Sequence, residues 1–240
     1  MLHGIAPAAV FSRASTNRLT SYDLGRFEGA SLFARLGRAV CEAGCLPRKE
    51  LFEAWEMARR VRRRFRGGRV VDLAGGHGLL AQALLLLDDS SPSAIVVDAS
   101  LPPSAARLHA SLVAVWPRLR DRVEFVGAAL AAVALERDDV IVSCHACGGL
   151  TDQVLDLAVR ARARVAVLPC CHDVRHAPAM LAGWMDAALA QDVDRAQRLA
   201  GADYDVWTQA IPPDITPKNR LLLGHPTQGA GRPAVSGKPA

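Results

Sequence analysis

Between Arg69 and Cys171 the chain alternates short, uninterrupted apolar runs with longer stretches of helical periodicity, and this alternation restricts the fold more than any other feature. The runs are "RVVDLAGGHG", "SAIVVDAS", "RVEFVGAAL", "DDVIVSCHA" and "ARVAVLPCC". Helical spacing of apolar residues recurs over Leu79–Leu87, Pro103–Trp116, Thr151–Arg162 and Ala177–Leu199. Runs that are apolar throughout, not at alternate positions, belong to strands buried on both faces, and so to a parallel sheet covered by helices on each side. Two further strand candidates, "YDVWTQAI" and "RLLLG", are joined only by "PPDITPKN". That connection is too short for a crossover helix, so these two strands are expected to pair antiparallel.

Ahead of the sheet, apolar residues recur at helical spacing over Phe27–Cys45 and Lys49–Phe65, with "GCLP" supplying a stop and a restart. Cys41 and Cys45 lie four apart on the first of these helices and read as small core residues. The resulting expectation is an α/β fold: a Rossmann-like, seven-stranded, mostly parallel sheet with helices on both faces, the last strand antiparallel, and two N-terminal helices. Residues 1–22 are expected to be a flexible start, 23–66 a helical segment, 67–225 the sheet domain and 226–240 a flexible tail rich in Gly and Pro. A chain of 240 residues, half of them hydrophobic, is long enough for one such core.

No apolar run approaches the roughly 20 residues of a membrane span, and "MLHGIAPAAVF" is a poor signal peptide. The six cysteines cluster inside apolar runs, which argues for reduced thiols in a soluble, cytoplasmic protein with no membrane association. Lys and Arg exceed Asp and Glu by 29 to 24, with the excess gathered in "RRVRRRFRGGR", Arg59 to Arg69. Such a stripe suits an anionic partner, RNA or a ribosome-associated target, or else is a solvated helix face. The oligomeric state is not legible.

The turn after the first strand, "DLAGGHG", is glycine-rich where backbone can approach a bound nucleotide. A dinucleotide fingerprint would carry its third glycine at Leu79, which disfavours a nicotinamide-dependent dehydrogenase. Asp98, twenty residues past Gly78 at the end of the second run, is positioned to accept hydrogen bonds from ribose hydroxyls, or to cap the helix that follows. Asp72, Ala74, Gly75, Gly76, Gly78 and Asp98 are the candidate cofactor-binding residues. The loop resembles motif I of class I S-adenosylmethionine-dependent methyltransferases, which implies S-adenosyl-L-methionine as cofactor. Many of those enzymes carry an acidic residue after the third strand; this chain offers Ala128 and Ala129, so backbone would have to serve.

The fourth and fifth runs each end in sulfur and imidazole, "CHACGGLTD" and "PCCHD". In a doubly wound sheet both would emerge on the carboxyl rim where ligands bind. "HACGGLTD" followed by "PCCH" resembles a branch of the class I methyltransferases that includes several methyltransferase-like proteins and, more distantly, the tRNA acceptor-stem 2′-O-methyltransferase. The resemblance spans roughly Glu50 to Gly224, with "ELFEAWEM" and "TPKNRLLLG" part of the same pattern. It implies a methyltransferase whose acceptor is RNA or a ribosome-associated target, with protein methylation and a non-catalytic binding module as alternatives.

Three readings of the clusters stand at this level. His145 can be a general base beside the methyl group, with Cys171 and His172 as further catalytic candidates. Cys144, Cys147, Cys170, Cys171 and His172 can include metal ligands; against this, adjacent Cys170 and Cys171 on an extended strand point to opposite faces, and no bound metal is expected. In the third reading the cysteines pack the sheet end and His145 makes a structural hydrogen bond. Thr151 and Asp152 stand where a helix start needs side-chain acceptors, and the Thr216–Asn219 loop is expected on the same rim.

Overall fold

The computed structural model of the chain describes residues 11–227, apart from 174 and 176. Among these residues seven strands form a single sheet: β1 (Val70–Leu73), β2 (Ala94–Asp98), β3 (Val123–Gly127), β4 (Val140–Ser143), β5 (Arg164–Val167), β6 (Tyr204–Ala210) and β7 (Arg220–Pro226). Their order is β3-β2-β1-β4-β5-β7-β6. The first five pair in parallel, and β7 pairs antiparallel with both β5 and β6. The expected Rossmann-like arrangement is therefore present, with β7 inserted between its two neighbours. Because β1 through β3 build outward on one side and β4 starts the other, the loops after β1 and β4 part and leave a crevice at the carboxyl rim.

Among the described residues six α-helices accompany the sheet: α1 (Leu32–Ala43), α2 (Arg48–Arg64), α3 (Leu79–Leu87), α4 (Ala105–Val115), α5 (Gly149–Ala161) and α6 (Ala187–Gly201). Helix α1 begins later than Phe27 because Ser21–Arg26 forms a separate 3-10 turn and Ser31 caps the helix, its side chain accepting from the Ala34 N–H at 3.1 Å. Phe27 instead packs its ring beside Gly37, where a Cβ would stand 2.2 Å from it. Helix α6 starts ten residues after Ala177, at the Asp186 cap, whose carboxylate accepts from the Leu189 N–H at 2.9 Å. Thr151 and Asp152 do not cap α5, which starts at Gly149. The Thr151 hydroxyl donates to the Ala146 carbonyl at 2.6 Å, and Asp152 pairs with Arg195 at 2.8 Å and Arg198 at 2.9 Å on α6.

One core runs without a break from the N-terminal helices into the sheet, through Leu36, Val40, Met57, Val61, Leu84 and Val96, all fully buried. Within the stretch expected to be a flexible start, residues 11–22 pack against the helices. Leu19 is fully buried and its N–H donates to the Leu46 carbonyl at 2.9 Å, and the Phe11 ring meets Phe27 edge-on. Residues 1–10 and 228–240 of the expected flexible termini lie outside the described residues, whereas Pro226 belongs to β7. No described helix is long and apolar enough to cross a membrane.

Helix α2 runs from the carboxyl rim to the opposite end of the sheet, and this divides its charges. Its basic end lies where the strands begin: Arg69 directly precedes β1 and forms a bidentate pair with buried Asp139, which directly precedes β4, at 2.9 and 2.7 Å. Arg62 is buried, donating to the Leu84 carbonyl at 3.0 Å and pairing with Asp88 at 3.4 Å. Arg59 and Arg60 pair with Glu56, Arg66 with Asp88, and Arg64 stacks over Trp207. Within the basic run Arg62 is buried and Arg60 and Arg69 are partly buried, whereas Arg59, Arg63, Arg64 and Arg66 are exposed at the end of the molecule remote from the crevice.

Candidate active site

The turn from β1 into α3 is built by backbone conformations that few side chains tolerate. Ala74, Gly76 and Gly78 have φ of 56°, 51° and 71°, the left-handed region where only glycine is unstrained. At Gly75 and Gly78 the lack of a side chain also allows close approach. A Cβ on Gly75 would lie 2.8 Å from the Asp72 carboxyl carbon and from Val96, and one on Gly78 would lie 2.8 Å from Val96 and 2.9 Å from Phe125. The loop consequently lies flat against β2, and its outer face is left to a ligand.

Two carboxylates hold the loop. Asp98, at the end of β2, accepts from the Gly76 N–H through Oδ2 and from the Ser100 N–H through Oδ1, both at 3.0 Å. A carboxylate offers about four lone-pair sites, so these bonds leave capacity for ribose hydroxyls. Asp72 is only 1 % exposed; its Oδ2 accepts from the Ala81 N–H of α3 at 3.2 Å, and its Oδ1 has no partner. Burial pushes its pKa up to about 7, with the nearby charge of Asp98 adding and the Ala81 bond opposing.

Both carboxylates face a cavity of about 300 Å³ that also touches Ala74, Gly75, Gly76 and His77. Its opposite wall is Cys144 and His145, from the loop after β4, together with Glu50 and Ala54 of α2. His145 is exposed through the cavity mouth although protein crowds its ring, so water screens part of its desolvation. That desolvation, and secondarily the Lys49 charge, hold its pKa below the ordinary imidazole value and keep it neutral. His77 is within hydrogen-bond distance of Ser104 at 2.9 Å.

Glu53 is the residue that sequence reasoning missed. It is 3 % exposed, and a carboxylate oxygen lies within 4.8 Å of both the Cys144 sulfur and a His145 ring nitrogen. One oxygen pairs with Lys49 at 3.3 Å, and the other has no hydrogen-bond partner. Burial raises its pKa, opposed by the Lys49 ammonium and by nearby Thr216. The signal was available: Glu50, Glu53 and buried Met57 fall at i, i+3 and i+7, so an acid occupies the stripe α2 turns toward the sheet.

The remaining candidates divide. Cys171 and His172 lie in the loop after β5, next to this cavity but not lining it. The Cys171 carbonyl accepts from the Gly148 N–H at 3.1 Å, which ties the two motif-bearing loops together. The His172 Nε2 lies 2.8 Å from Asp192, which is also bound by Arg195 at 3.1 Å and Arg220 at 2.6 Å, so His172 is part of a network joining α6 and β7. From the Thr216–Asn219 loop, Thr216 reaches Glu53 and Lys218 lies 4.0 Å from the Cys171 sulfur, while Asn219 turns back to the Ile211 carbonyl. The Ala128 N–H donates to the Asp98 carbonyl, so it is already engaged.

A sheet that reverses between β1 and β4, with a glycine turn and two carboxylates in that crevice, is the architecture in which doubly wound folds bind nucleoside cofactors. A family model described as a methyltransferase domain matches residues 50–176, more than half of the chain, and the chain belongs to that family. Among solved structures, the S-adenosylmethionine-dependent methyltransferase SibL in its apo form is 20 % identical with a TM-score of 0.50, over 89 % of this chain and 67 % of that one. The pyocyanin biosynthetic protein PhzM is 20 % identical with a TM-score of 0.49, over 85 % of this chain, which spans 59 % of its length. An O-methyltransferase family protein from Burkholderia thailandensis is 17 % identical with a TM-score of 0.46, over 87 % and 68 %. At 20 % identity the likeness to SibL is one of fold alone. No curated protein sequence matches the chain.

S-adenosylmethionine, the methyl donor of this class, fits the residues present. The glycine turn is an open cradle, Asp98 can accept from ribose hydroxyls, and the unpartnered oxygen of Asp72 is a buried acceptor suited to a cationic group.

Proposed function

We propose that the protein transfers a methyl group from S-adenosylmethionine to a hydroxyl or amine of an RNA acceptor, and that it belongs to the branch marked by "HACG" and "CCH". The observation that carries this reading is that the glycine turn, Asp98 and His145 border one cavity. When bound, the cofactor supplies an electrophilic methyl group. His145, neutral and open at the cavity mouth, takes the proton of the acceptor as it attacks. Glu53, with a carboxylate oxygen within 4.8 Å of a His145 ring nitrogen, offsets the charge of the imidazolium that forms. Asp72, Asp98 and the glycine turn bind and orient the cofactor, and direct displacement requires little more than that alignment.

An RNA acceptor is supported by cations other than Arg59–Arg69, whose side chains are mostly engaged elsewhere. Exposed Arg18 and Arg107 stand near His77, and Lys49 and exposed Lys218 near the loops after β4 and β5, so a rim of cations lies outside a cavity wall that itself carries Glu50, Asp72 and Asp98. Such a rim concentrates a polyanion at the reacting centre.

The test uses methyl-labelled S-adenosylmethionine with RNA and protein fractions of a cell extract. Label should enter RNA and fall as salt is raised; label confined to protein would overturn the acceptor. His145→Ala should leave cofactor affinity intact and lower turnover about a hundredfold, the range for losing a positioned base. Full turnover in that variant would refute the role of His145.

A further inference from the structure

Opposite-facing sulfurs, which would disfavour a shared metal, require that Cys170 and Cys171 lie on an extended strand. They do not, because β5 ends at Val167 and both cysteines lie in the loop beyond it. Freed from strand alternation, their sulfurs turn to the same side and meet a third from the loop after β4. The sulfur atoms of Cys147, Cys170 and Cys171 all lie within 4.8 Å of one another, and those of Cys147 and Cys170 are 3.3 Å apart. We propose that these three cysteines form a zinc site, a trithiolate set with its fourth position open to water.

The distances fit this chemistry better than the alternatives. Zinc–sulfur bonds of about 2.3 Å in tetrahedral geometry require sulfurs about 3.8 Å apart, inside the observed range. A disulfide needs about 2.05 Å, would engage only two of the three sulfurs and would leave the third unexplained. The set contains sulfur alone, which selects a soft or borderline ion over magnesium or calcium. His172, the nearest imidazole in sequence, does not bring a ring nitrogen within 4.8 Å of all three sulfurs, and its Nε2 is turned to Asp192 at 2.8 Å, so the fourth position is left to solvent.

Access and charge also agree. Cys147 is exposed, and Cys170 and Cys171 are partly exposed, so an ion can enter without unfolding. Three thiolates around a divalent ion carry one net negative charge, and the Lys218 ammonium lies 4.0 Å from the Cys171 sulfur to offset it. The backbone is already braced, since the Gly148 N–H donates to the Cys171 carbonyl at 3.1 Å. An ion here would cross-link the loops after β4 and β5, two residues from His145. The site stands on the sulfur geometry and does not depend on the acceptor or on methyl transfer.

The experiment uses untagged full-length protein, expressed with zinc in the medium and purified under reducing conditions without chelator. Elemental analysis should find about one zinc per chain. Cys147→Ser and Cys170→Ser should each lose it, and Cys41→Ala, altering a core cysteine on α1, should keep it. In the unaltered protein, three thiols should become reactive to a thiol reagent only after chelator is added. Cobalt given to the chelated protein should produce a thiolate-to-cobalt charge-transfer band. These two measurements decide the matter even if a serine variant does not fold. Absence of both zinc and the cobalt band would overturn the proposal, as would zinc retained in both serine variants or a Cys147–Cys170 disulfide in freshly isolated protein.

Discussion

Asp72 gives the cofactor site a defined dependence on pH. Its carboxyl is 1 % exposed with one oxygen unpartnered, and burial raises its pKa to about 7 from an ordinary 3.8. A carboxyl whose folded pKa exceeds its unfolded pKa binds its proton more tightly when folded. The stability this contributes is fully present below about pH 4 and is lost as pH rises through about 7, reaching about 4 kcal/mol by linkage. S-adenosylmethionine, carrying a sulfonium and an ammonium, should favour the ionised form. At pH 6 only about a tenth of the carboxyl is ionised, so affinity should be about tenfold weaker than its limit, or about 1.4 kcal/mol, with nearly one proton released on binding. Calorimetric titrations between pH 5.5 and 7.5, in buffers of different ionisation enthalpy, measure both quantities. Asp72→Asn should bind more weakly at the upper end, release no proton and lose the slope, and its unfolding midpoint should vary less with pH than that of the unaltered protein. Cofactor affinity that is flat across this range, or a slope that persists in Asp72→Asn, would refute the assignment of the unpartnered oxygen to the cofactor.

Asp98→Ala removes a carboxylate that accepts from Gly76 and Ser100, and cofactor affinity should fall by about 1.5–3 kcal/mol in the same calorimetry. Gly78→Ala combines a φ of 71° with a Cβ 2.8 Å from Val96; the unfolding midpoint in urea should fall by the equivalent of about 1–3 kcal/mol. Arg69→Ala strands buried Asp139 and should cost about 3–5 kcal/mol of stability, while the salt dependence of RNA binding to folded protein stays unchanged; a reduced salt slope would mean that Arg69 meets phosphate.

The parts of the fold that were legible in the sequence are those controlled by local pattern. Near-continuous apolar runs mark β1, β2, β4 and β5, whereas β3 carries Glu124 and lies half-exposed at the sheet edge, and the limits of α3 follow from Gly78 and the end of a leucine run. The antiparallel pairing of β6 and β7 follows from a connection too short to cross over. Position of β7 between β5 and β6 was not legible, because either strand could supply an antiparallel or a parallel edge to β5. The late start of α6 and the order within residues 11–22 depend on caps and on aromatic packing at distant positions.

For the site, "DLAGGHG" and Asp98 were legible because a strand, a tight turn and a helix dictate their own geometry over a few residues. What a side chain meets across the crevice was not. Cys170 and Cys171 turn to one side only because β5 stops at Val167, and Glu53 meets His145 only because α2 descends from the rim past the end of β4. The same descent carries Arg62 away from the crevice to pair with buried Asp88, and Arg69, just before β1, pairs with buried Asp139 at the strand origins. The direction of one helix thus decides both placements: its acidic start faces the crevice, and near its basic end buried Arg62 braces the base of the sheet while Arg59, Arg63 and Arg64 stay exposed.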